Sequence, residues 1–145
     1  MKQLTEDQKK ELMARTCELI FTEGQFDMEV FIGDNGRYPK CGTACCIGGN
    51  LDIAGREMRV ELSLKAKPFV EDRADALWAE LHPGTRGDWY ADVGGIVDYD
   101  DVTPNMAVAH VITALPLGAL AEDPAAVRAA CRKARQMIRE LRGAV

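Results

Sequence analysis

The chain has 145 residues, 47% of them apolar and 28% charged, with a net charge of -5 and five cysteines. That length suits one domain, residues 1–145, which buries about 68–70% of its unfolded surface and needs no disulfide or metal staple to form a core. The acidic balance disfavours direct nucleic-acid binding along a phosphate backbone, and no run approaches the roughly 20 apolar residues of a membrane span. The opening "MKQLTEDQKKEL" has no apolar stretch, so no signal peptide is expected and the cytoplasm is the expected compartment. An odd number of cysteines in a reducing compartment predicts free thiols, each a small buried hydrophobe by default.

Thr5 and Gln8 fit a capping box. Behind them Leu12, Met13, Thr16, Cys17, Leu19 and Ile20 recur at helical spacing, with Lys9, Lys10, Glu11, Arg15 and Glu18 off the stripe. Gly24 is placed to stop this helix in the left-handed conformation. Residues 25–40 read as loop around Asp34-Asn35-Gly36, although Phe26, Met28, Val30 and Ile32 also suit a short strand. Thr43 is a good N-cap for a helix over 44–55, with Gly55 as its natural stop.

Met58, Val60, Leu62 and Leu64 then alternate with Arg59, Glu61, Ser63 and Lys65, the pattern of a half-buried strand. A helix over 69–81 follows Pro68, with Phe69, Val70, Ala74, Leu77, Trp78 and Leu81 on one face. Residues 82–95 read as loop, and "GIVDYDD" could pair with the first strand. Thr103-Pro104 opens a helix that is apolar almost all round and therefore central. "PLGALAEDP" reads as a short connection. Asp123-Pro124 opens the last helix, which turns Val127, Ala130, Cys131, Ala134, Ile138 and Leu141 inward. Arg128, Arg132, Lys133, Arg135, Arg139 and Arg142 fall elsewhere on it, as a solvated face or a basic stripe for a partner.

The expected fold is mainly α. It is a single compact domain of about five helices around the 104–115 helix, with room for one small two-stranded antiparallel sheet.

Chemistry concentrates in "CGTACCIGGN", residues 41–50, which holds three of the cysteines. Cys41 and Cys45 have the spacing of half a zinc site, but the partners on offer (Cys46, His82, His110, Cys17, Cys131) do not complete a recognisable second half. Adjacent helical residues diverge by about 100°, so Cys45 and Cys46 cannot both face one ion. Cys45 near a helix N-terminus is a candidate reactive thiol, for which only His82 and His110 could be the base. The free N–H groups after Gly42 and Thr43 form a possible anion cradle, although the G-K-[ST] ending of a phosphate loop is absent. Asp88, Asp92, Asp98, Asp100 and Asp101 lack the ligand order of a calcium loop. Arg86, Asp88, Trp89 and Tyr90 form a charged aromatic loop, either an interaction anchor or a loop folded back on the core. No cofactor is implied.

Cys41-Gly42-Thr43-Ala44-Cys45-Cys46-Ile47-Gly48-Gly49 resembles the C-G-T-x-x-C-I-x-G signature of a loosely defined family of small phage and prophage proteins. Phe26-Asp27-Met28, Leu77-Trp78 and Thr103-Pro104 are similar to its flanking landmarks, while Cys45 is an extra thiol and Trp78 stands where the family usually has Phe. The resemblance favours Cys46 over Cys45 as the thiol of interest and implies a small accessory protein of the host cytoplasm, with no reaction attached.

Three functions follow from these readings. The first is a non-enzymatic binder of a host or defence protein, an anti-defence inhibitor. The second is a binder that sequesters a nucleotide or other small anion at the Thr43 helix start. The third is a thiol enzyme or zinc protein using Cys41, Cys45 and Cys46. The candidate binding residues are Gly42, Thr43, Cys46, Arg86, Asp88, Trp89 and Tyr90; if a metal binds, Cys41 and Cys45 are its ligands.

Overall fold

The computed structural model describes residues 4–22, 47–60, 70–84 and 102–143. In α1 (Glu6–Phe21) the capping box is formed: Gln8 N–H donates to Thr5 Oγ1 at 3.1 Å and Thr5 N–H to Gln8 Oε1 at 2.9 Å. Each bond satisfies a donor that the first helical turn leaves open. The apolar stripe is buried as its spacing predicts, apart from Met13, which is half-buried. Thr16 is buried with its hydroxyl donating to Leu12 O at 2.7 Å, so its polarity is satisfied inside the helix. The helix ends at Phe21 with an extended Thr22; the expected stop at Gly24 lies outside the described residues.

α2 is described over Ile47–Glu57, and its expected Thr43 cap lies outside the described residues. The helix passes Gly55 and ends two residues later. Val60 N–H donates to Gly55 O and Arg59 N–H to Arg56 O, both at 3.0 Å, with Arg59 left-handed at φ 55°. This pair of bonds is a Schellman cap built without glycine. Gly55 serves packing instead, because a Cβ there would lie 2.7 Å from Leu77 Cδ1. The glycine lets α2 approach α3 (Val70–Leu81) closely.

The strand expected from residue 58 is therefore corrected at its start. Met58 and Val60 do pack on the core while Arg59 is exposed, but a cap turn produces that alternation. Residues 61–64 lie outside the described residues, as does the "GIVDYDD" partner; among the described residues there is no strand.

α4 (Pro104–Thr113) starts as expected, with Met106 N–H donating to Thr103 Oγ1 at 3.1 Å and Pro104 at the first helical position. Ala107 to Ile112 are buried in succession, which accounts for its all-round apolar character. It stops at Ala114, left-handed at φ 62°. The connection after it contains a further short helix, α5 (Leu117–Ala121), which has no side-chain cap and buries Leu117 and Leu120. Asp123 Oδ1 accepts from Ala126 N–H at 3.0 Å and starts α6 (Pro124–Gly143).

α4 packs on α1, α5 and α6, while α1 also packs on α2, α3 and α6. α1 thus joins the α2–α3 pair to the α4–α6 group. Trp78 of α3 and His82, just past its end, close the arrangement against α4. Trp78 stacks on His110 with ring centroids 4.8 Å apart, and His82 Nε2 donates to Val111 O at 2.7 Å. The core is the fully buried set around Leu12, Ile20, Leu51, Leu77, Trp78 and Val108. Burial of one such side chain contributes about 1.5–3 kcal/mol.

Candidate functional site

Gly42, Thr43, Cys46, Arg86, Asp88, Trp89 and Tyr90 lie outside the described residues, as do Cys41 and Cys45. The other candidates for chemistry can be placed. Cys17 is fully buried, and burial, with Cys131 nearby, pushes its thiol far above the ordinary range. Cys131 is also buried, donates to Asn105 O at 3.5 Å and is raised by the same desolvation. Neutral thiols so placed are inert as nucleophiles.

His110 is a core histidine: it is fully buried, and its Nδ1 lies 2.6 Å from Leu115 O. A carbonyl only accepts, so Nδ1 carries the proton. That bond ties the chain after α4 back to the helix. Burial lowers the pKa of His82, against the opposing effect of its bond to Val111 O. Trp78 lies between the two imidazoles, 4.8 Å from each. Its Nε1 and one carboxylate oxygen of Glu80 are buried without a hydrogen-bond partner among the described residues.

α2 and α3 share a buried ion cluster that was not read from the sequence. Asp52 is fully buried, and its carboxylate accepts from Arg73 Nε at 2.7 Å and Arg56 Nε at 3.2 Å. The Asp52–Arg56 spacing of four was a legible signal, but the burial and the Arg73 contact are tertiary.

Among the described residues, the most sharply organised exposed surface is on α6. Residues 128, 132, 135, 139 and 142 follow in steps of four, three, four and three. At about 100° per residue these five arginines fall in an arc of about 80°, and the row runs about 21 Å. All five are exposed. Two are held from below by α1. Arg135 sits 4.5 Å from the centre of the Phe21 ring, and Arg142 Nε donates to Glu18 Oε2 at 2.8 Å while its Nη2 reaches Oε1. Glu18 also takes a 2.6 Å bond from Arg15, which grips Glu57 through two bonds of 2.6 and 3.1 Å. Hydrogen bonding by Arg142 holds the Glu18 carboxyl below its ordinary range, and Arg15 adds to the effect.

Arg128, Arg132 and Arg139 take part in no ion pair among the described residues. Beside them an open cleft of about 640 Å³ separates α6 from α1, lined by Lys10, Met13, Arg132, Lys133, Met137 and Glu140. Lys10 and Glu140 face each other across it at 3.9 Å.

α6 carries six cations and one carboxylate, a net of +5; since the chain totals -5, the rest of it sums to -10. In the sequence, positive charge is therefore concentrated on α6 and the remainder of the chain is acidic. Among the described residues no group of three or more His, Cys, Asp or Glu could hold a metal ion, and no helix is long and apolar enough to cross a membrane. No family model, curated protein or solved structure matches the chain.

Proposed function

We propose that this chain is a small non-enzymatic accessory protein of phage or prophage type. It acts in the host cytoplasm by binding a host or defence protein, and α6 is its contact surface. The observation that carries the reading is the exposed arginine row on α6, concentrated on an otherwise acidic molecule. Arginine is enriched at the centres of protein interfaces because its planar guanidinium pairs with carboxylates through two parallel bonds. The phage-type assignment and the class of partner rest on the sequence signature over residues 41–49.

The test is affinity capture from bacterial lysate with the native chain and with an Arg132→Glu, Arg139→Glu variant of unchanged circular dichroism. The expected outcome is a stoichiometric protein partner that is lost with the variant. Equal capture by both proteins, or no reproducible partner, overturns the reading.

A further inference from the structure

We infer that the α6 face receives a short acidic helix, whose carboxylates pair with Arg128, Arg132 and Arg139. The inference rests on the proposal that α6 is a contact surface, and it adds the chemistry of what binds there. The first argument is register. Arg128, Arg132 and Arg139, spaced by four and seven residues, match carboxylates with the same spacing on a second helix, so each guanidinium can meet a carboxylate without either backbone bending.

The second argument is the boundary of the positive charge. Glu122 and Asp123 stand exposed just before α6, and Asp7, Glu11 and Glu140, with Lys10 among them, line the adjoining depression on the α1 flank. An extended polyanion such as a nucleic acid would run off the row onto acidic ground at both places. A helix of about 14 residues spans about 21 Å and ends within the row.

The probes are three: a capped synthetic helix with glutamates spaced by four and seven residues along one face, a scrambled peptide of identical composition, and a duplex DNA oligomer. Binding is read by fluorescence anisotropy at about 0.15 M salt, where charges farther apart than about 8 Å are screened. The striped peptide is expected to bind at least about tenfold more tightly than the scrambled one. The Arg128→Glu, Arg132→Glu, Arg139→Glu variant should lose it, and the corresponding triple lysine variant should lose part of it because lysine cannot pair bidentately. Should the triple charge reversal fail to fold, the single Arg139→Glu change carries the same comparison with a smaller loss.

Equal binding of striped and scrambled peptides overturns the inference, since register is then not read. Tighter binding of DNA than of the striped peptide overturns it in favour of a nucleic-acid surface. If the peptides fail while lysate capture still depends on Arg132 and Arg139, only this inference falls and the contact-surface proposal stands. Capture that ignores those arginines removes both.

Discussion

Asp52 makes the fold sensitive to the loss of either arginine that pairs with it. Its carboxylate is fully buried and is shared by Arg73 and Arg56. Leaving a buried charge with no partner costs about 3–5 kcal/mol, and losing one of the two arginines on Asp52 costs a part of that. Arg73→Ala is therefore expected to lower the urea midpoint sharply, while Arg56→Ala costs less because Arg56 is about half exposed and its bond is longer. Equal losses for the two variants would show that burial does not rank the two arginines.

His82 gives a second residue-scale prediction, this one in pH. Burial depresses its folded pKa below the ordinary 6.5, so the unfolded chain takes up the proton first. Stability is then full above pH 6.5 and falls as pH drops from there toward the folded value. A His82→Gln variant should show a flatter unfolding midpoint between pH 7.5 and pH 5.5 than the native chain, which is about the span in which an unperturbed histidine titrates.

At the scale of elements, two helices end on a non-glycine residue in the left-handed region, Arg59 at φ 55° and Ala114 at φ 62°. A side chain there meets the neighbouring carbonyl at a cost of roughly 1–2 kcal/mol, partly offset because glycine frees the unfolded chain. Arg59→Gly and Ala114→Gly are each expected to stabilise by about 0.5–1 kcal/mol in thermal melts. Gly55→Ala should do the reverse despite alanine's better helix propensity, because the new methyl meets the buried Leu77. Combining it with Leu77→Ala should remove that penalty, leaving the Leu77 cavity as the only loss.

These ends also show what could be read in advance. Helix starts at Thr5, Thr103 and Asp123 were legible because a cap is a local bond between residues three apart. The end of α2 was not, since a Schellman turn buries alternate residues just as a strand does. α5 is not legible because five residues without a side-chain cap leave no periodic signal. The arginine spacing on α6 was plain in the sequence. Which arginines are engaged was not, because Phe21 and Glu18 reach them from more than a hundred residues away.

At the scale of the whole molecule, charge divides into two sets that salt should tell apart. The Arg142–Glu18–Arg15–Glu57 chain joins α6, α1 and α2 through short bonds, and Glu18 within it is largely shielded from solvent. Arg128, Arg132 and Arg139 stand exposed with no ion pair among the described residues. Screening acts on exposed, separated charges and much less on bonded, shielded ones. Raising salt from about 0.05 to about 0.5 M shortens the screening length from roughly 14 to roughly 4 Å. Over that range the unfolding midpoint is expected to move little, while the affinity for an acidic partner helix falls by about tenfold or more. Acid should separate the same sets in another way. The contribution of Glu18 is present above its unfolded pKa near 4.5 and is lost as pH falls through its depressed folded value, so a Glu18→Gln variant should differ from the native chain at neutral pH and converge with it in acid. If salt weakens folding and partner binding in parallel, the bonded network and the free arginine row form one electrostatic system, and α6 holds the fold together with the same charges it would offer to a partner.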